Sequence, residues 1–166
     1  MKKQILAVFV FVVMISSLLV PTKIINAQVH TVDVESWITG FVPVDEGDIR
    51  FNPGGMELWR GVINDVYYTA TDPRIQGWCT MVMNRNIRPD DTAQGYGTWV
   101  SHPDAYPNGY WAGTFTASID SEGVMRVRMI AKGYGTLDGL KYSGSLEGSM
   151  MSVIYGVITE LPTYSP

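Results

Sequence analysis

The sequence has few of the residues that build metal sites and disulfides. It contains one cysteine, Cys79, and two histidines, His30 and His102. Two histidines and a distant cysteine do not supply the three or four ligands of a zinc site, so we expect no metal. One cysteine cannot form a disulfide within the chain, so it is either buried or paired between chains. Burial is favoured because residues 78–83 form a strand-like run.

Recognisable catalytic motifs are also lacking. The Gly-x-Ser-x-Gly pattern is absent, and Ser101-His102-Pro103-Asp104 places triad residue types side by side in sequence, whereas a triad depends on geometry. A pair of catalytic carboxylates must face one cleft, but few acids fall within strand-like segments, chiefly Glu57 and Asp65, and most others lie in turns. The repeated Gly-Tyr-Gly-Thr of residues 95–98 and 133–136 does not open a helix, so it predicts a bulge or corner rather than a phosphate loop.

Positive charge is scarce. The chain has 12 basic and 16 acidic residues, and residues 1–27 hold three of the basic ones and no acid, so the remainder has a net charge of about −7. This excess disfavours binding to nucleic acids and to anionic membrane surfaces. The acidic loops at residues 45–48 and 90–91 do not match the EF-hand spacing and are interpreted as solvated charge rather than calcium ligands. No cofactor is predicted.

Only one long hydrophobic run is present. Lys2 and Lys3 precede an apolar run over residues 5–20, Pro21 follows it, and Ala27 provides a small residue for cleavage. This pattern predicts a signal peptide over residues 1–27 and an extracellular or periplasmic domain over residues 28–166. The alternative is an uncleaved anchor, but the run is shorter than the about 20 residues of a spanning helix. No membrane insertion is expected after cleavage.

The rest of the chain lacks helical periodicity and instead shows short alternating runs between turn residues. The clearest are residues 110–120 and 124–132, which alternate apolar and polar side chains around the turn Ser121-Glu122-Gly123 and predict an antiparallel hairpin. Further strands are predicted over residues 29–41, 48–51, 56–71, 75–86, 96–101, 139–147 and 150–161. Loops or turns are predicted at residues 43–48, 52–55, 72–74, 88–94 and 102–109.

About eight strands with one buried face require either a closed antiparallel barrel or a β-sandwich. Glycines inside the predicted strands favour the barrel, because glycine permits the sharp coiling that closure demands. These are Gly61, Gly77, Gly113, Gly144 and Gly156. We therefore predict an all-β, about eight-stranded closed barrel.

Several segments of residues 66–158 resemble a known family. They are Thr71-Asp72-Pro73-Arg74-Ile75-Gln76-Gly77, Gly97-Thr98-Trp99, Trp111-Ala112-Gly113-Thr114-Phe115 and residues 133–141. Together they are similar to a group of uncharacterised exported bacterial proteins and, more loosely, to the allene oxide cyclase-like barrel superfamily, which includes dirigent proteins. The resemblance implies an eight-stranded barrel with a lumen. It transfers no catalytic residue to this chain.

The aromatic residues are the remaining candidates for a site. A lumen too wide to be filled would leave Trp99, Trp111, Tyr67 and Tyr142 lining a pocket for an apolar ligand, whereas a narrow one would use them as core. Three functions follow. The first is a non-enzymatic barrel that binds a small apolar ligand or a surface partner. The second is a cyclase or isomerase using Tyr67, Tyr142 or Glu57. The third is a structural or self-assembling domain, and the sequence leaves the oligomeric state open.

Overall fold

A computed structural model describes residues 29–160, which form nine antiparallel strands in one sheet. The strands are β1 His30–Asp45, β2 Asp48–Phe51, β3 Glu57–Ala70, β4 Gly77–Ile87, β5 Ala93–Pro103, β6 Gly109–Ile119, β7 Met125–Gly135, β8 Leu140–Gly148 and β9 Ile154–Glu160. Within this part of the chain, no helix is long and apolar enough to cross a membrane. The predicted signal peptide lies outside the described residues.

The long first strand closes the sheet on itself. Its first half, from His30 to Ser36, pairs with β9, and its second half, from Ser36 to Asp45, pairs with β3. Because each strand from β3 to β8 pairs with the next strand along the chain, these two contacts complete a hydrogen-bonded ring of eight strands. The predicted closed antiparallel barrel is therefore confirmed over the sandwich. The short β2 lies outside the ring and extends β3.

The connections divide the barrel into two ends. At the end that we call the closed end, the chain turns through residues 71–76, 104–108 and 136–139. At the opposite end, which we call the open end, it turns through residues 88–92, 120–124 and 149–153, and β2 lies beside β3. The predicted turns at residues 52–55 and 121–123 are both present.

The interior of the closed end is filled with large side chains. Trp99, Trp111 and Tyr142 are at most 4% exposed and come from the inward faces of three different strands. Ile75 and Leu137 come from the closed-end loops and are buried in the same cluster. The loops thus cap this half of the core, and Cys79, fully buried beside it, is a free thiol as expected from its strand-like surroundings.

Several predicted element boundaries are wrong. The predicted loop at residues 43–48 is mostly strand, since β1 continues to Asp45 and β2 begins at Asp48. Pro43 is tolerated there because this half of β1 pairs on one side only, with β3. The last strand starts at Ile154 rather than Met150, because Ser149 and Ser152 close a turn through a backbone hydrogen bond of 2.9 Å. Strand β5 also extends into both loops predicted around it.

A bulge in β3 separates the ring from its extension at the open end. The register with β4 shifts between Trp59 and Val62, and Gly61 has a φ of 69°, a value that glycine adopts without strain. The amide nitrogen of Gly61 donates a hydrogen bond to the side-chain oxygen of Asn84 at 3.1 Å. The start of β3 therefore projects past the barrel and carries β2 with it.

Candidate functional site: a methionine-lined cavity

The interior of the open end is not filled. A cavity of about 150 Å³ lies there, directly beyond the packed half of the core. Five of the nine methionines of the chain line it, namely Met81, Met83, Met125, Met129 and Met150. Phe115, Val127 and Leu146 complete much of its apolar wall. A dry apolar cavity of this volume is large enough for a ligand the size of benzene.

Strand alternation places the methionines on the wall. Met81 and Met83 follow Cys79 at every second position of β4, so all three point inward. Met125 and Met129 occupy inward positions of β7 in the same way. Methionine side chains are unbranched and flexible, which lets such a wall adapt its shape to a ligand. A tightly specified core would instead use branched side chains.

The cavity meets solvent at the open end. Phe41 and Met150 both line it and are 49% and 48% exposed, so they form part of its mouth. Met151, adjacent to Met150 in the turn before β9, is 74% exposed. Large apolar side chains clustered around a concave site are typical of binding surfaces.

Few polar groups interrupt this apolar wall. Asn64 contributes a neutral polar side chain from the inward face of β3, and Arg85 is the one charged residue among the described residues that line the cavity. Arg85 continues the inward series of β4 and is directly opposite Trp59 in the β3–β4 register. Its guanidinium lies 3.9 Å from the centre of the Trp59 ring.

The extension of β3 forms a wall beside the mouth. Residues directly opposite each other in neighbouring strands share a face. Trp59 is opposite Arg85 on one side and Ile49 on the other, so these three side chains form a cross-strand row beside the opening. The indole nitrogen of Trp59 donates a hydrogen bond to the carboxylate of Glu57 at 3.0 Å. Glu57 therefore has a structural partner.

The predicted ligand residues lie elsewhere. Trp99, Trp111 and Tyr142 line only a void of about 10 Å³ in the closed-end core, which is about enough for one water molecule. Tyr67 lies on the outer face of β3, where its hydroxyl donates a hydrogen bond of 2.5 Å to Asp104. None of these four residues lines the methionine-lined cavity. Their role in ligand binding stays a prediction.

Tyr142 has a structural role that the sequence did not reveal. Gly144 and Gly156 are opposite each other in the β8–β9 register, and the Tyr142 ring lies directly over both. A Cβ atom at Gly156 would come within 2.6 Å of this ring. Burial raises the pKa of Tyr142, because the charged phenolate is disfavoured where water is excluded.

His102 belongs to an aromatic row on the outside of the barrel. Its ring lies 5.8 Å from that of Tyr110, which stacks on Tyr134 at 4.9 Å. Because alternate residues of β5 point to opposite faces, the neighbouring Ser101 points inward and is 2% exposed. The Ser101-His102-Asp104 run therefore forms no triad in the folded chain. Among residues 29–160, no three side chains of the metal-binding types cluster.

Sequence reasoning allowed for an unfilled lumen but missed the residues that line it, although a signal for them existed. Methionines recur at positions 81, 83, 125 and 129, at spacings that put each pair on one face of a predicted strand. We considered only aromatic residues as candidates to line a lumen. In the structure the methionines line the cavity, and Trp99, Trp111 and Tyr142 belong to the packed core.

The comparisons with known proteins add no assignment. No protein-family model matches the chain, and no curated protein matches its sequence.

Proposed function

We propose that the protein binds a small apolar ligand in the methionine-lined cavity. The observation that carries this proposal is the unfilled volume of about 150 Å³ at one end of a barrel whose other end is packed. Natural interiors are packed to near-crystalline density, and an empty cavity costs stability. A ligand would restore the dispersion contacts that the methionine side chains lack in the empty cavity.

The predicted signal peptide places this binding outside the cytoplasm. Native mass spectrometry of protein recovered from the medium or periplasm of its host would test both parts of the proposal. A mass matching residues 28–166 would support export and cleavage, and an additional mass lost on denaturation would support a bound ligand. The similarity to allene oxide cyclase-like barrels stays a prediction, and we propose binding rather than catalysis.

Methionine methyl groups provide a direct test of the site. In protein labelled with carbon-13 at these methyls, titration with toluene should shift the NMR signals of Met81, Met83, Met125 and Met129. The signal of Met56, which does not line the cavity, should stay in place. Equal shifts at all methionines would indicate non-specific contact, and no shifts would contradict the proposal.

A cavity-filling variant gives a matched test. Ala117→Phe on β6 places a ring in the cavity, whereas Ala112→Phe places the same ring on the outer side of the same strand. We expect Ala117→Phe to lower toluene affinity at least tenfold and Ala112→Phe to leave it within about twofold of wild type. Similar toluene affinities in the two variants would show that toluene binds outside the cavity.

A further inference from the structure

Arg85 is a charged residue in the wall of a largely apolar cavity. Charged side chains are rarely buried without a partner, because removing a charge from water is costly. Arg85 nevertheless lines the cavity, and its Nε atom is buried with no hydrogen-bond partner among the residues that the structure describes. The six ion pairs of these residues do not include Arg85.

The nearby carboxylate of Glu57 forms no ion pair with Arg85. Glu57 acts electrostatically on Arg85 but accepts its hydrogen bond from the indole nitrogen of Trp59. Burial lowers the pKa of Arg85, because the charged form loses hydration. A guanidinium remains protonated under ordinary conditions even when its pKa is lowered. The cavity wall therefore carries a positive charge that forms no ion pair among the described residues and whose one electrostatic partner is Glu57.

The surroundings hold the guanidinium in position. The Trp59 ring covers one face of it at 3.9 Å, an arrangement that leaves the N–H donors at its edge free to bind. Its backbone is also fixed, since the Arg60 side chain donates hydrogen bonds to the Arg85 carbonyl at 3.1 Å and to Asn86 at 2.8 Å. Little ordering would be lost when an anion binds to so restrained a group.

We propose that the ligand is an amphipathic anion whose carboxylate pairs with Arg85 while its apolar body occupies the methionine-lined cavity. The inference rests on the proposed function and adds the chemical class of the ligand. A carboxylate fits because it is planar and accepts two parallel hydrogen bonds from a guanidinium. The volume of about 150 Å³ limits the enclosed part to roughly the size of a benzene ring or a short alkyl chain.

Matched pairs of anionic and neutral ligands test this inference. Benzoate is compared with benzyl alcohol, and octanoate with 1-octanol, by calorimetry at fixed ionic strength. We expect each carboxylate to bind the wild-type protein at least about tenfold more tightly than its alcohol. Arg85→Gln should remove this preference and leave the affinity for the alcohols within about threefold. Arg85→Lys, which keeps the charge but loses the planar fork, should retain part of the preference.

The control keeps the change of charge but moves it away from the cavity. Arg128→Gln alters an exposed residue on the outer face of β7 and should retain the full preference for carboxylates. Circular dichroism and melting curves establish that each variant is folded. A preference that persists in Arg85→Gln, or equal binding of acid and alcohol to the wild type, would overturn the inference while leaving the apolar site intact. Failure of all four ligands to bind would overturn the proposed function as well.

Discussion

The indole nitrogen of Trp111 donates a hydrogen bond of 2.6 Å to the backbone carbonyl oxygen of Arg74. Trp111 lies on the inward face of β6, and Arg74 belongs to the loop between β3 and β4. The bond ties this loop across the closed end of the barrel, next to the buried Ile75. Trp111, the largest fully buried side chain, thus also provides the hydrogen-bond donor for a backbone carbonyl of a closed-end loop.

Trp111→Phe should destabilise the fold without abolishing ligand binding. The variant leaves the Arg74 carbonyl without its donor, at a cost of about 1–3 kcal/mol, and Trp111→Ala should cost about 3–5 kcal/mol. Urea unfolding measures both. Trp78→Phe, at a side chain that is 47% exposed, should change stability by about 0.5 kcal/mol or less. If Trp111→Phe had normal stability but no longer bound toluene, the result would support Trp111 as a ligand-binding residue.

Gly156→Ala should destabilise the barrel by overpacking. The new methyl would meet the Tyr142 ring at 2.6 Å, and forced repacking of a full core costs about 1–3 kcal/mol. Tyr142→Leu in the same chain should relieve the clash, so the two changes together should cost less than their sum. Thermal unfolding of the single and double variants measures this coupling.

The control is Gly123→Ala in the β6–β7 turn. Its φ is 78°, but no atom lies within 4 Å of the new methyl, so only the backbone cost of about 1 kcal/mol applies. If the losses of stability caused by Gly156→Ala and Tyr142→Leu simply add, the packing of the Tyr142 ring does not depend on the space left by Gly156.

Cys79 should be unreactive in the folded protein. Burial raises the pKa of its thiol to about 12, so the thiolate that reacts with alkylating reagents is scarce at pH 8. Labelling by iodoacetamide should therefore follow unfolding and accelerate in urea. Fast labelling of the native protein would contradict the burial of this residue.

The same shift predicts a loss of stability at high pH. A group whose pKa rises on folding stabilises the fold fully below its unfolded pKa, here near 9, and the contribution is lost as pH rises towards 12. Cys79→Ala should show a smaller fall in unfolding free energy between pH 9 and pH 12 than the wild type. Parallel pH curves would show that other groups, such as the buried Tyr68, dominate this range.

Asp72 should contribute stability that acid removes. Its carboxylate pairs with Arg74 at 2.7 Å, both side chains are less than a fifth exposed, and the hydrogen bond from Arg74 lowers the pKa of Asp72. A lowered pKa means that the contribution is present above the ordinary value near 4 and is lost as pH falls through the folded pKa. Asp72→Asn should cost about 1–3 kcal/mol at pH 7.

The measurement is the unfolding free energy from pH 7 to pH 2. The wild-type value should fall more steeply below pH 4 than that of Asp72→Asn, and the two should converge in acid. Asp33→Asn, at an exposed residue of β1, should follow the wild-type curve. A constant difference between wild type and Asp72→Asn at all pH values would contradict an ionised Asp72.

Local patterns predicted most of the strands correctly. The segments around Trp111 and Met129 alternate cleanly because each strand buries one face, and the turn at residues 121–123 marks the hairpin between them. The region around Pro43 was misjudged because proline normally ends a strand, and only the one-sided pairing of β1 there makes it acceptable.

The site was harder to predict than the fold. The sequence left open whether Trp99, Trp111 and Tyr142 line a pocket or fill the core, and in the structure they come together at the closed end and fill it. Which inward side chains share a layer depends on the stagger of the strands around the ring. That stagger is set by long-range pairings such as β1 with β3, which leave no local trace in the sequence.

By itself, the sequence determined that residues 29–160 form antiparallel strands with one apolar face, since a period of two is a local property of each strand. It also determined that Cys79 has no disulfide partner within the chain. The tertiary structure alone decided that one end of the barrel is packed and the other hollow, and that Arg85 lies on the same cavity wall as the methionines. The physical reason is volume, because whether an interior is filled depends on the summed size of side chains that only closure of the ring brings together.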